Sequence, residues 1–225
     1  MAEHAPTPVV LSWSGGKDSA MALHVLRGDP RYEVVSLLTT VAGEYQRISH
    51  HGVRLELLEE QAEAVGVPLH VLELPPQPTN AVYEQAMEEA MRHFLSRGVR
   101  TVAFGDLFLE DLRRYRESNL ARVDMHGLFP LWGRDTTAMI HEFVDLGFRA
   151  HLVCVDGQKL TRGFAGRPLD GSLLADLPED VDPCGENGEY HSFVHDGPVF
   201  THPVPVRVGE IVSRDVRHFA DLVAG

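Results

Sequence analysis

The hexapeptide Ser-Gly-Gly-Lys-Asp-Ser at residues 14–19 is the feature that most constrains how this chain folds. It follows an apolar run at residues 9–13, which predicts a buried strand, and it opens residues 18–27, whose apolar pattern predicts a helix. Glycines permit a sharp turn and a close approach to an anion, and a helix start offers unpaired N–H groups. The spacing fits neither the Walker A pattern nor GxGxxG. Two interpretations stay open, a phosphate-binding loop and an ordinary strand-to-helix turn capped by Ser or Asp.

The alternation of strand and helix continues through residue 105. Apolar, β-branched runs predict strands at residues 32–40, 67–74 and 99–105. Apolar residues at helical spacing predict helices at residues 53–65 and 79–97. Such alternation is typical of an α/β fold with a parallel sheet and helices on both faces.

The signals change after Trp132. We predict a helix at 137–146, a strand at 149–156, an irregular stretch at 157–182 with a short helix near Leu173, and a hairpin of residues 190–195 and 198–208 about Asp196-Gly197. An antiparallel hairpin after a parallel sheet indicates a smaller α+β lobe. We therefore predict two domains, residues 1–133 and residues 134–225.

The amino-acid composition argues against several classes of protein. The net charge of −13 argues against a nucleic-acid partner, since no basic run exceeds the cluster at residues 113–116. Two distant cysteines, Cys154 and Cys184, support neither a disulfide framework nor a zinc ribbon. Neither a secretory signal nor a membrane-length apolar run is visible, so the expected location is the cytoplasm, with no membrane partner. The sequence gives no prediction of oligomeric state.

The hexapeptide in this context resembles the PP-loop of the ATP pyrophosphatases, the alpha-hydrolase group that includes GMP synthetase, asparagine synthetase, argininosuccinate synthetase and tRNA-thiolating enzymes. The resemblance implies a Rossmann-like, HUP-type sheet that binds ATP and cleaves it between the α- and β-phosphates. The residues then expected to hold the nucleotide are Ser14, Gly15, Gly16, Lys17, Asp18 and Ser19. We interpret Asp18 either as a helix cap or as a carboxylate that faces a Mg²⁺ ion bridging the phosphates.

Three further segments narrow the resemblance. They are Gly-Asp-Leu at residues 105–107 with the arginines that follow, Pro-Leu-Trp-Gly at 130–133, and Gly-Glu-Asn-Gly-Glu-Tyr-His-Ser at 185–192. Together with the loop they resemble the diphthine–ammonia ligase family over nearly the whole chain. The family pattern runs Glu-Gly-Gly-Glu-Phe-Glu, whereas this chain has Asn187 and His191 at the second and last positions. Both departures fall in the region expected to bind the substrate. The resemblance therefore supports the fold and the ATP chemistry of this chain more strongly than the identity of its substrate.

The resemblance implies a reaction. A substrate carboxylate attacks the α-phosphorus of ATP, pyrophosphate leaves, and ammonia converts the acyl-adenylate into an amide. The implied partners are ATP, ammonium and a carboxylate, on a small molecule or on a modified protein side chain such as diphthine. Lys17 and Asp18 would act in catalysis as well as in binding.

Two arginines are candidates for the site. Arg113 and Arg116 could clamp the α-phosphate or the substrate carboxylate, because guanidinium pairs with both in a two-pronged geometry. Alternatively they belong to a solvated helix face beside Glu110 and Glu117.

Two acids and three histidines complete the candidates. Glu186 and Glu189 could attract ammonium or a cationic substrate group such as the trimethylammonium of diphthine, or they could simply face water in a turn. His191 could act as a base for ammonia, or it is a surface histidine on a strand. The pair His50-His51 lies in a predicted loop that could reach the nucleotide.

Two other functions remain open. A tRNA-thiolating enzyme shares the PP-loop but needs reactive cysteines and a basic RNA surface. A non-enzymatic ATP-binding sensor would keep the loop without needing the acidic motif or the two arginines.

Overall fold

A parallel sheet forms the first part of the molecule. The structure, a computed structural model, describes residues 5–43, 47–48, 52–75 and 78–225. The strands of this sheet are β1 (Thr7–Ser12), β2 (Tyr32–Ala42), β3 (Arg47–Ile48), β4 (Leu69–Leu74), β5 (Thr101–Ala103) and β6 (His126–Leu128). The helices between them are α1 (Lys17–Arg27), α2 (Leu55–Val65), α3 (Asn80–Ser96) and α4 (Glu110–Ala121).

The order of the parallel strands indicates where a ligand would bind. They lie side by side as β4-β2-β1-β5-β6, and β3 pairs antiparallel with the end of β2. The chain therefore moves outward from β1 through β2 to β4, then crosses to β5 on the other side of β1. In open α/β sheets, ligands bind beyond the carboxyl ends of the strands where the order switches in this way. Here that point lies between β1 and β5.

Helices cover both faces of the sheet, as predicted. Successive residues of a strand point to opposite faces. Val9 and Leu11 of β1 belong to a core shared with α1 and α2. Val10 belongs to a second core shared with α3 and α4.

A second, antiparallel sheet follows. Its strands are β7 (Arg149–Asp156), β8 (Tyr190–Asp196), β9 (Val206–Arg214) and β10 (Arg217–Ala224), in the order β8-β7-β10-β9, accompanied by helices α5 (Thr136–Asp145) and α6 (Gly171–Asp176). Phe143 and Phe193 from this part belong to the same core as Leu11. The smaller α+β lobe is thus packed on the α1–α2 side of the parallel sheet. The predicted boundary at residues 133/134 falls in the loop before α5, and the division into two domains stays a prediction.

The predicted hairpin about Asp196-Gly197 is wrong. Strand β8 pairs with β7, while β9 pairs with β10 around the turn at Asp215, whose φ is 51°. Residues 198–205 contain three prolines, which lack the N–H needed for a ladder. These prolines displace the next strand to residue 206.

Helix α4 has no strong sequence signal. Leu120 is its one buried residue, so the apolar periodicity that predicted the other helices is missing. Among the residues that the structure describes, no helix combines the length and apolar character needed to cross a membrane.

Candidate active site at the switch in strand order

A cavity of about 270 Å³ opens at the carboxyl ends of β1 and β5. Three segments line it: the residues that follow β1, those that follow β5 together with Arg116 of α4, and the loop that leads into β8. This is the position that the switch in strand order selects for a ligand. The antiparallel lobe supplies the third wall.

The loop after β1 presents the start of α1 to the cavity. Gly16 is the residue before the helix, and Ser14 and Ser19 line the cavity beside it. The Ser14 hydroxyl accepts from Gly16 N at 3.3 Å, and the Ser19 hydroxyl donates to Gly16 O at 2.9 Å. The positive end of the helix dipole therefore faces the cavity, which suits an anionic ligand.

Groups from other elements hold this loop in place. Gln61 of α2 is fully buried, and its amide nitrogen donates to the carbonyl oxygens of Gly15, at 3.0 Å, and of Val194. Its amide oxygen accepts from the Trp13 indole at 3.0 Å. From β8, Val194 N donates to Gly15 O at 2.9 Å. Gly15 has φ 75°, and a side chain there would approach Gln61 to 2.7 Å, so only glycine fits.

Lys17 is the most enclosed charge of the site. Its side chain is 4 % exposed, and its Nζ lies 2.8 Å from Asp18 Oδ2 and 3.6 Å from Glu186 Oε1. The same Nζ stands 5.5 Å above the Tyr190 ring. Burial by itself lowers the pKa of Lys17, but the charge of Asp18, followed by other neighbours, raises it beyond its ordinary value. Lys17 therefore remains a cation directed into the cavity.

Asp18 has an oxygen suited to a metal ion. Its Oδ1 is buried and has no hydrogen-bond partner, while Oδ2 is engaged by Lys17. Burial raises the pKa of this carboxyl, and Lys17 opposes the shift without cancelling it. No group of three or more His, Cys, Asp or Glu side chains within the described ranges could hold a metal ion. Mg²⁺ needs no such cage, since it binds through one or two carboxylates and the phosphates of a substrate.

The end of β5 brings a second carboxylate and an arginine to the cavity. Asp106 Oδ2 lies 2.7 Å from Arg116 Nε, and the Arg116 guanidinium rests 4.3 Å over the Phe104 ring. Gly105 lets β5 approach α1 closely, because a Cβ there would lie 2.8 Å from the backbone carbonyl of Asp18. One hydrogen bond joins the pair, from Arg116 Nη2 to Asp106 Oδ1 at 3.2 Å, whereas the close contact of Nε with Oδ2 is not a hydrogen bond.

The loop before β8 is held by its own acids. Asp182 Oδ1 accepts from Cys184 N at 2.9 Å and from Glu186 N at 3.2 Å. Glu189, 3 % exposed, accepts from Asp182 N at 3.1 Å and Asn187 N at 2.9 Å, and also from the Asn187 side chain. This bracing directs Glu186 into the cavity. Burial, followed by the charge of Asp18, raises the pKa of Glu186 to about 8.

The structure brings together most, but not all, of the predicted site residues. The loop residues Ser14 and Gly16 to Ser19, together with Arg116, Glu186 and His191, line the cavity, and Gly15 supports it from behind. Glu189 does not line it, because its carboxylate is turned into its own loop. Arg113 does not line it either: its guanidinium lies 4.7 Å over Phe129 and 4.6 Å over Trp132.

Cys184, next to the acidic motif, does not line the cavity. The Cys184 thiol is buried, donates to Thr136 O at 3.0 Å, and has a raised pKa, chiefly because of burial. His50 and His51 lie outside the described residues.

Sequence reasoning missed Gln61 and gave no role to Asp106. A signal for Gln61 exists, because it is a polar residue at an apolar position of α2, between Leu58 and Val65. Its partners, Gly15 and Val194, are distant in sequence and meet only in the fold.

Comparison with known proteins gives matches along most of the chain. Residues 7–126 match the family model of the diphthamide synthase N-terminal domain, and residues 135–223 match that of the diphthamide synthase C-terminal domain. A diphthine–ammonia ligase of Bos taurus is 27% identical over 237 residues, covering 92% of this chain and 85% of the relative. One of Danio rerio is 29% identical over 195 residues, covering 78% and 73%. One of Schizosaccharomyces pombe is 27% identical over 220 residues, covering 89% of this chain and 36% of the relative.

Proposed function

The chain belongs to the diphthamide synthase family, and on this premise we propose that it is an ATP-dependent ligase that adenylates a substrate carboxylate and transfers ammonia to it. In the first step a carboxylate oxygen bonds to the α-phosphorus, and the bond to pyrophosphate breaks. In the second, ammonia bonds to the acyl carbon, AMP leaves, and one proton is released. One observation carries the proposal: at the switch in strand order, Lys17 and Asp18 share a cavity with Arg116 and Glu186.

The helix start and Lys17 have the chemistry to hold pyrophosphate. Backbone N–H groups and the helix dipole attract the phosphates, and the buried ammonium of Lys17 neutralises charge that builds up on the leaving group. Such preorganised groups act most strongly where water is excluded. The low exposure of Lys17 supports this role.

Asp18 would hold Mg²⁺ through its unpartnered Oδ1. The bound ion would supply charge neutralisation across the phosphates. Asp106, at the other side of the same cavity, keeps Arg116 oriented toward it. Arg116 would in turn orient the substrate carboxylate, because its remaining N–H groups suit an oxyanion.

Glu186, in its ionised form, would accept the proton that ammonia loses as the amide forms. A carboxyl that exchanges its proton near neutral pH suits proton transfer to and from a reacting nitrogen. The raised pKa of Glu186, about 8, supports this role. Glu189 would act only through the loop that it braces, and Arg113 is not part of the proposed machinery.

A role in sulfur transfer has less support. Burial is the main cause that raises the pKa of both the Cys154 and the Cys184 thiols, which disfavours the thiolate that such chemistry needs. A pure ATP sensor would leave the placement of Glu186 beside Lys17 without a purpose.

Phosphorus NMR of the reaction products tests the proposal. The full chain would be incubated with ATP, Mg²⁺, nitrogen-15 ammonium and a panel of carboxylates. We expect AMP and pyrophosphate in equal amounts, and a labelled amide. ADP and phosphate as the main products would contradict the proposal, and GTP in place of ATP serves as the nucleotide control. The variant Lys17→Met should release no pyrophosphate.

A further inference from the structure

Three buried side-chain atoms around the cavity have no hydrogen-bond partner. They are Oδ1 of Asp18, Oδ2 of Asp106 and Nε of Arg116, and all three residues line the cavity. Within the described ranges, the hydroxyl of Thr39 is the one other buried side-chain group in this condition. Buried polar groups are nearly always paired, so a cluster of exceptions at one cavity indicates that a ligand completes it. Two of the three atoms are carboxylate oxygens, the type of ligand that Mg²⁺ prefers.

The two carboxylates belong to segments that lie against each other. A Cβ at Gly105 would lie 2.8 Å from the backbone carbonyl of Asp18, so the end of β5 touches the start of α1. Asp106 is the next residue in the chain. Burial is the largest cause that raises the pKa of Asp18, and the charge of Asp106 raises it further. The two acids therefore repel each other across the cavity, and a cation between them would relieve that repulsion.

Asp106 and Arg116 satisfy each other only in part. One hydrogen bond of 3.2 Å joins Nη2 to Oδ1, and the 2.7 Å contact of Nε with Oδ2 is not a hydrogen bond. A well-formed pair of this kind has two parallel hydrogen bonds. The Arg116 guanidinium also lies 4.3 Å over the Phe104 ring, so it keeps a second support if the carboxylate turns away.

We propose that Asp106 exchanges partners as the site fills: it pairs with Arg116 before ligands bind, and it turns to the magnesium ion beside Asp18 when the metal–ATP complex enters. Arg116 then offers its N–H groups to the carboxylate of the substrate. The inference rests on the proposed function for the identity of both ligands. It couples the two binding events, because Arg116 stays engaged until Asp106 leaves it. Such a coupling is reciprocal, so metal and carboxylate strengthen each other's binding by the same factor.

Calorimetry with α,β-methylene-ATP tests the exchange without turnover, because this analogue resists cleavage between the α- and β-phosphates. Its affinity for the full chain is measured in Mg²⁺ and in EDTA, and the ratio of the two affinities isolates the contribution of the metal. Asp106→Asn should lower this ratio about tenfold, because the ion loses a charged ligand. A general loss of affinity affects both measurements and cancels in the ratio.

Arg116→Gln should have the opposite effect. Because Arg116 competes with the metal for Asp106, its removal should raise the ratio roughly threefold, as expected for a partly exposed ion pair. In the Asp106→Asn background the same substitution should leave the ratio unchanged, since the carboxylate for which they compete is gone. Arg113→Gln removes an arginine of the same helix that does not line the cavity, and it should leave the ratio within about twofold of the wild type.

Acetate serves as the probe for the state of Arg116. Ligand-observed NMR, with α,β-methylene-ATP present, should show acetate binding roughly threefold tighter in Mg²⁺ than in EDTA. In Asp106→Asn the affinity for acetate should be the same under both conditions, because Arg116 is released already. In Arg116→Gln the tightening by Mg²⁺ should disappear.

Several results would overturn the inference. One is a ratio that Asp106→Asn leaves unchanged or that Arg116→Gln lowers. Another is a rise after Arg116→Gln that persists without the carboxylate of Asp106. Acetate binding that ignores Mg²⁺ would show that Asp106 holds Arg116 in every state. None of these measurements involves product formation, so their failure is distinguishable from failure of the ligase proposal, which the reaction products decide.

Discussion

The two loops that meet in the cavity are held in opposite ways. The loop after β1 is fixed from outside, by Gln61 of α2 and by Ser192 and Val194 of β8. The loop before β8 is fixed mainly from within, by the carboxylates of Asp182 and Glu189, with single bonds to Thr136 and Asp156 outside it. The first loop therefore keeps its charged side chains for a ligand. The second uses one acid of its motif as a brace and leaves the other to face the cavity.

This difference separates residues by function even where their chemistry is the same. Glu186 and Glu189 are three positions apart in one motif, yet one lines the cavity and the other accepts hydrogen bonds from its own loop. Substitutions at Asp18, Glu189, Glu186 and Gln61 test that separation.

The largest effect should come from Asp18→Asn, within the externally held loop. Loss of a charge that acts on the phosphates should lower the rate of pyrophosphate release about 100–1000-fold. The free energy of unfolding should fall by about 2–3 kcal/mol, because the buried ammonium of Lys17 loses its nearest carboxylate and keeps Glu186 at 3.6 Å. Steady-state kinetics at saturating ATP and urea denaturation measure the two effects. Asp111→Asn, which alters a carboxylate with 97% exposure on α4, is the control. Full turnover in Asp18→Asn would exclude the metal role.

Substitutions of the two glutamates in the acidic motif should have different effects, one on stability and the other on turnover. Glu189→Gln replaces an acceptor oxygen with a donor amide opposite backbone N–H groups, so it should lower the free energy of unfolding by about 2–3 kcal/mol. Glu186→Gln should leave that free energy unchanged and lower turnover about 100-fold, an effect of roughly 2.7 kcal/mol on the barrier. Denaturation and turnover are measured on both variants. Equal phenotypes would remove the distinction between brace and site residue.

A moderate effect should follow from Gln61→Met, which removes an external support of the first loop. Methionine keeps the volume but cannot donate to Gly15 O. Calorimetry should show about tenfold weaker binding of ATP and pyrophosphate, about 1.4 kcal/mol, with unchanged binding of AMP, because the loop holds only the phosphates that leave.

The control for this variant is Thr201→Val. It removes a hydrogen bond of 2.8 Å to Ala64 O at the end of α2 without touching the loop. If Gln61→Met weakened AMP and pyrophosphate binding alike, Gln61 would support the fold and not the loop in particular.

The smallest effect should come from His195, which lies in β8 beyond both loops and affects the pH dependence of stability. Burial, followed by the charge of His151, lowers the pKa of His195 from 6.5 to about 4. The unfolded chain therefore takes up the proton first, so stability is present above pH 6.5 and is lost as the pH falls toward 4. Because the ring is partly exposed, we expect a loss of no more than about 1 kcal/mol.

Replacing His195 with Phe should remove this part of the pH dependence and leave turnover at pH 8 unaltered. The free energy of unfolding is measured from pH 7 to pH 4 for the wild type and the variant. The difference between the two isolates the contribution of His195 from that of the titrating carboxylates. A difference that stays constant with pH would show that His195 does not titrate in this way.

The sequence by itself determined the architecture around the phosphate loop. Strand, glycine turn and helix at residues 7–27 follow from apolar runs and from a glycine that only a turn accommodates. The parallel sheet follows from the repeated alternation, because parallel neighbours need a crossover helix. Family membership, too, was visible in short motifs. The hairpin at Asp196-Gly197 failed because a local turn signal ignores the prolines that follow.

Only the tertiary structure decided which side chains share the cavity. Arg113 and Arg116 are neighbours on one helix surface, yet one stacks on Phe129 and Trp132 while the other pairs with Asp106. Gln61 gains its role from partners 46 and 133 residues away along the chain. Periodicity and propensity are properties of neighbouring residues. The direction of a side chain depends on what the rest of the fold places opposite it.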